Sequence, residues 1–158
     1  MVKKVVENVR DIIAIGSTVL DFARNEILWL LPPQMLIYSR QFGLTEKLGA
    51  LIEKGGRVRG ITQISGTDVS IVRKLLDIGE GVRHVEEYRA EFMLVADRKL
   101  SISSIPQQDI NLEGVTLDYR VMACLTDDPS YVENLIVTFE ASWKESVDAK
   151  QRLQELGF

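Results

Sequence analysis

From Val5 onward, apolar residues return every three or four positions: Val5, Val9, Ile12, Gly16, Val19 and Ala23, with Val6, Ile13 and Leu20 beside them. That period predicts a helix over 3–24 with a wide apolar stripe. The same spacing has the a/d rhythm of a helix that pairs with its own copy, so core packing and a dimer seam both fit it. The pattern then changes. Glu26 to Leu31 is a nearly continuous apolar run ending at Pro32-Pro33, as a central strand buried on both faces requires. Phe42, Leu44, Leu48, Leu51 and Ile52 restore a helical period over about 40–54, and Gly55-Gly56 stop it.

RVRGITQI (57–64) alternates and predicts a second strand. Gly66-Thr67-Asp68 open a helix whose apolar face is Ile71, Val72, Leu75, Leu76 and Ile78, closed by Gly79 and Gly81. A short edge strand is expected near Val82–Val85. A hairpin follows over 91–104, turning at Asp97-Arg98-Lys99, and then a strand over about 117–125. Asp127-Asp128-Pro129-Ser130 reads as a helix start rather than a pair of metal carboxylates, because proline favours the first turn. The last helix is expected over 130–156, with Tyr131, Leu135, Phe139 and Trp143 on its inner face. Helices between the early strands imply parallel crossovers, and the hairpin adds antiparallel strands. The expected fold is α/β, a mixed and mostly parallel sheet with helices on both faces, in one domain spanning 1–158.

Composition narrows the chemistry. The chain has 158 residues, one histidine and one cysteine. Zinc sites built on paired histidines or on thiolate clusters are therefore excluded. Cys124 lies in an apolar stretch as a buried thiol, and its lack of a disulfide partner fits a cytoplasmic location. No apolar run reaches the ~18 residues of a membrane span. The formal charge is −4, and Lys and Arg number nine against six acidic residues in 1–64 but ten against seventeen in 65–158. No concentrated basic face is present for direct nucleic-acid binding. Nucleotide-binding glycine motifs and the G-x-S-x-G elbow are missing as well.

The candidate site is a set of charged residues on the predicted strands. Arg89 and Glu91 share one strand face, as do Arg57 and Arg59, and His84 lies just upstream. If these strands are neighbours, the groups meet at one end of the sheet, where open α/β sheets bind ligands. A salt-bridged sheet end is the structural alternative. Glu86-Glu87 alternate across a strand and read as a solvated edge.

EILWLLPPQ, KGGRVRGITQI, EFMLVADRKLSISS and FEASWKES, in that order, resemble one half-unit of the phospholipase D-like superfamily over about residues 10–155. Gly56–Ile64 and the Phe139…Trp143 pair also resemble degenerate units that serve as regulatory domains in archaeal sensor histidine kinases and TrmB-type transcription regulators. The resemblance implies that the family's catalytic His, Lys and Asp positions are Arg89, Glu91 and Ala96, within RAEFMLVADRKLSISSIP (89–106). Farther on, the usual glycine is Ser103, the serine is kept as Ser104, and the asparagine is Pro106. Family chemistry needs a nucleophilic histidine. A guanidinium stays protonated and cannot replace it.

The resemblance thus implies a non-catalytic sensory or regulatory domain with no cofactor, acting in signal transduction or transcription regulation. It is expected to work as a homodimer around a shared cleft lined by Arg89, Glu91, Ser101 and Ser103, with His84 as an outer candidate. A small-molecule ligand, and a kinase or DNA-binding partner domain, are the expected partners. Two other readings stand beside it: a divergent phosphodiesterase using His84, and a DNA-linked regulator that works through a partner domain.

Overall fold

The computed structural model describes residues 2–88, 91–105 and 122–158. The chain opens with a strand, β1 (Lys3–Val6), followed by helix α1 (Val9–Phe22). The helix expected over 3–24 therefore begins six residues late. Asn8 fixes that boundary: its side chain accepts the Asp11 amide at 2.9 Å and donates to the Asp11 carboxylate at 2.7 Å, a reciprocal cap that starts the helix. Ile12, Gly16, Val19 and Ala23 are buried, so this part of the stripe packs into the core, while Val5 stays exposed on β1.

β2 (Glu26–Leu30) is the central strand that its apolar run predicts, with Ile27, Leu28 and Trp29 buried on both faces. Helix α2 (Pro33–Gln41) was not expected, since Pro32-Pro33 reads as a stop. Pro33 also suits the first turn of a helix, where its missing N–H costs nothing. Gly43, at φ 77°, separates α2 from α3 (Leu44–Glu53). β3 (Arg57–Thr62), α4 (Val69–Asp77) and β4 (Gly81–His84) then complete two parallel crossovers. β5 (Met93–Ala96) and β6 (Leu100–Ser104) form the hairpin. Asp97 and Arg98 both take positive φ in its turn, which suits the twist of the flanking strands.

β7 (Ala123–Thr126) leads into α5 (Pro129–Glu145), whose N-cap Asp128 accepts the Ser130 amide at 3.1 Å. The expected last helix is broken. Val147–Asp148 form strand β8 against β4, and α6 (Ala149–Glu155) follows, capped by Asp148. Arg83 causes the break, since it binds both the hydroxyl and the carbonyl of Ser146.

The sheet order is β1-β7-β6-β5-β2-β3-β4-β8. The expected mixed α/β sheet with helices on both faces is present. Among the described residues only β2–β3 and β3–β4 are parallel; the other five pairings are antiparallel. The sheet is thus mostly antiparallel, not mostly parallel as expected, because the hairpin, β7, β1 and β8 all join by reversal. α1, α3, α4 and α6 pack on one face, and α5 covers the other through Val132, Ile136 and Phe139 over Leu28, Ile61, Met93 and Val95. Among the described residues, no helix is long and apolar enough to cross a membrane.

Candidate functional site

The parallel strands sort the candidate residues by their ends. In the β3–β4 register Arg59 sits opposite Gly81 and Thr62 opposite His84. Arg57 and Arg59 therefore lie at the N-terminal end of the sheet centre, and His84 at the C-terminal end. The expected meeting of Arg57, Arg59, His84 and Glu91 does not occur, because parallel pairing keeps like ends together.

Arg57 is exposed, whereas Arg59 is held under α5. Its guanidinium makes a two-pronged ion pair with Glu140, at 2.6 and 3.2 Å. It also lies 5.3 Å from the Phe139 ring centre and 5.1 Å from that of Trp143. Arg83 approaches the same Trp143 at 5.2 Å. Hydrogen bonds from Arg59 hold the Glu140 carboxyl below its ordinary range. The two short motifs, in Gly56–Ile64 and Phe139–Trp143, are thus halves of one clamp between β3 and α5. Arg59 is a structural residue, joined by charge and by stacking on aromatic faces.

Ser101 and Ser103 are buried on β6 and do not reach a cleft. Ser101 bonds to the Thr126 carbonyl at 3.3 Å, and Ser103 meets the Tyr131 hydroxyl at 3.0 Å. Their hydroxyls lie on the sheet face that α5 covers. Ser104 accepts the Phe92 amide across the hairpin at 2.8 Å. Arg89 and Pro106 lie outside the described residues.

His84 is 1% exposed. Its Nδ1 accepts the Ile64 amide at 2.8 Å, which leaves Nε2 as the protonated nitrogen of the neutral ring. Nε2 stands 3.3 Å from Glu86 Oε1 without an aligned hydrogen bond. Burial, with the nearby Arg152 charge, lowers the His84 pKa. Buried Asp68 faces the same region, and its carboxyl is pushed up by desolvation. His84 packs beside α4 and α6, on the face opposite α5, with one nitrogen engaged and the other covered. That arrangement offers no accessible nucleophile.

A cleft opens where β2 and β4 end. Leu30, Val85, Glu86, Glu87, Tyr88 and Glu91 form one wall, and Thr138, Ser142 and Glu145 of α5 the other, around a volume of about 550 Å³. Four of these nine residues are carboxylates, and none is Lys or Arg. The Tyr88 hydroxyl donates to the Glu91 carbonyl, which ties the wall together. Burial first, and the Glu91 charge second, raise the Tyr88 pKa, so the phenol stays neutral. Glu91, the position that the sequence resemblance gives to the catalytic lysine, is exposed on this cleft. Sequence reasoning found Glu91 and set Glu86-Glu87 aside as a solvated edge. It missed Thr138, Ser142 and Glu145, whose place on the outer side of α5 is decided only by how that helix lies across the sheet.

No protein-family model matches the chain, and no curated protein matches it in sequence. Solved structures do match. TrmBL2, an archaeal chromatin protein with a novel mode of DNA binding, superposes with a TM-score of 0.70 at 12% identity. Nuc from Salmonella typhimurium, a phospholipase D family member, gives 0.66 at 12% identity, and NucT from Helicobacter pylori 0.64 at 11%. The fold is phospholipase D-like. Each comparison covers 93% of this chain; it spans 97% of Nuc and 99% of NucT, but only 54% of TrmBL2, about half that protein's length. At these identities the shared property is the fold.

Proposed function

We propose that this chain is a non-catalytic regulatory domain on a phospholipase D-like frame, which receives a ligand or partner group in the acidic cleft at the end of β2 and β4. One observation carries this reading: at Glu91, where the resemblance places a phosphate-binding lysine, the cleft presents Glu86, Glu87, Glu91 and Glu145 instead. Carboxylates repel a phosphodiester and attract an amine or guanidinium. His84 supports the same reading, since its buried ring faces away from α5. We place the domain in the cytoplasm, in signal transduction or transcription regulation, as a homodimer. Any DNA contact is assigned to a partner domain, since the match covers only 54% of TrmBL2 and this chain is acidic.

A simple diamine tests the cleft. It should bind at low ionic strength, and Glu86→Gln and Glu91→Gln should each weaken it by roughly threefold to tenfold, about 0.7–1.4 kcal/mol of lost attraction. Added salt should weaken it further. Calorimetric titration of the wild type and both variants measures this. Affinity indifferent to both substitutions would show that the diamine binds elsewhere than in this cleft.

A further inference from the structure

The two edges of the sheet are built differently. β8 has two residues and turns at once into α6, a blunted edge of the kind that resists further pairing. β1 has four residues, and among the described residues nothing pairs with its outer side. We infer that this outer edge of β1 is the homodimer interface, where a second copy adds its own β1 antiparallel about Val5. The inference rests on the homodimer reading above but moves its interface from the shared cleft expected from the sequence to the edge of β1.

Backbone direction supports the register. Asp127 N–H donates to the Val2 carbonyl, and Lys3, Lys4, Val5 and Val6 sit opposite Thr126, Leu125, Cys124 and Ala123. On the far side of β7, Ile105 N–H donates to the Met122 carbonyl. Antiparallel pairs alternate between bonded and non-bonded. Val2, Lys4 and Val6 therefore turn their amides and carbonyls toward β7, while Lys3, Val5 and Glu7 turn theirs outward. An antiparallel copy centred on Val5 brings Val5 against Val5, and Lys3 of each chain against Glu7 of the other. In that register every outward backbone group from Lys3 to Glu7 meets a complementary one.

Side chains agree with the backbone. Lys3, Val5 and Glu7 alternate onto one face and are all exposed, Val5 by 48%. Lysines on an edge strand ordinarily guard it against pairing. Here the two-fold axis would place each Lys3 across from a glutamate, so the charge pattern of this short segment is complementary to itself. A groove of about 480 Å³ runs beside the edge, walled by Val5, Glu7, Asn8, Asp11, Ala14 and Ile15, and leaves room for an approaching strand. The site lies at the opposite side of the sheet from β4, so the acidic cleft stays open in both copies.

Charge reversal gives a test that does not depend on folding alone. Lys3→Glu should set glutamate against glutamate at both pairs, and Glu7→Lys should set lysine against lysine. Each should weaken the dimer by about tenfold or more. Mixing the two variants should restore association as a heterodimer, because their edges are complementary. Val5→Pro should abolish the dimer while sparing the β7 pairing, since the lost N–H points outward. Sedimentation equilibrium of the full chain and of the mixture reads all of these. A wild-type dimer unaffected by any of the three substitutions would overturn the β1 interface and leave the homodimer standing. A wild-type monomer would overturn both.

Discussion

Replacing Gly60 with alanine is expected to destabilise the protein by about 3 kcal/mol, the upper end of the usual cost of overpacking a core and more than any surface change described above. Gly60 lies on β3 opposite Trp29 of β2, and the indole lies flat across it. A methyl group there would sit 1.8 Å from Trp29 Cε2 and 2.0 Å from Cζ2. The indole has little room to move. It is 2% exposed, and its Nε1 donates to Glu80 at 2.8 Å. Cramming a methyl into a packed core forces off-rotamer side chains or backbone shifts. Denaturant unfolding measures the loss, and a second background identifies its cause. With Trp29→Val already in place, the same Gly60→Ala change should cost far less, a strong non-additivity. Equal cost in both backgrounds would show that the indole is not what excludes a side chain at Gly60.

The second large effect is a dependence of stability on pH, set by Glu80. This residue is 4% exposed, and its Oε2 has no hydrogen-bond partner among the described residues. Burial pushes its carboxyl up from 4.5 to about 7, against the hydrogen bond from Trp29, which lowers it. The folded state therefore binds a proton more tightly than the unfolded chain. Stability is fully present below about pH 4.5 and is lost as pH rises toward 7, by about 3 kcal/mol at 1.36 kcal/mol per unit. Glu140 runs the other way: its carboxyl is held low, so the Arg59 clamp weakens only as pH falls below the ordinary carboxylate range. The two windows are separate. Glu80→Gln keeps an acceptor for Trp29 and should flatten the curve between pH 4.5 and 7. Unfolding free energies at several pH values measure it, and a Glu80→Gln curve as steep as the wild type would assign the slope elsewhere.

Both predictions turn on pairings that the sequence conceals. Trp29 and Glu80 are fifty-one residues apart, and nothing in the local pattern joins them. What the pattern does show is element type. The apolar run at β2, the alternation at β3 and the polar turn at Asp97 all appear where period and turn chemistry place them. Boundaries failed where one residue had two uses. Pro33 ends a strand and begins a helix. Val5 and Val9 continue an i,i+4 rhythm, yet Asn8 between them caps a helix and leaves Lys3–Val6 as a strand. Ser146 sits in an unbroken helical pattern and is pulled out of it by Arg83, a residue from another strand.

The site was legible in the same uneven way. Glu91, singled out by motif position, lines the cleft, and Phe139 and Trp143 were seen as a recurring pair. Arg59 looked like a ligand residue because its partner, Glu140, lies eighty-one residues away. Ser101 and Ser103 alternate correctly on one face, but α5 covers that face. Asp97 carries more than its turn position suggests. Its carboxylate accepts the amides of Arg24, Asn25 and Glu26 at 2.8–2.9 Å. Although burial would raise its pKa, those bonds hold it below the ordinary value. The hairpin is thereby fastened to the start of β2.

Amide chemical shifts of the labelled protein, followed during titration with a diamine and separately with a phosphodiester, distinguish an acidic regulatory cleft from a phosphodiesterase site. The diamine should move the amides of Glu86–Tyr88, Glu91, Thr138, Ser142 and Glu145, while the phosphodiester leaves them in place and is not hydrolysed. Shifts at these same amides with the phosphodiester, or its hydrolysis at a rate that Glu91→Gln changes, would contradict a regulatory cleft that has lost the chemistry of its fold.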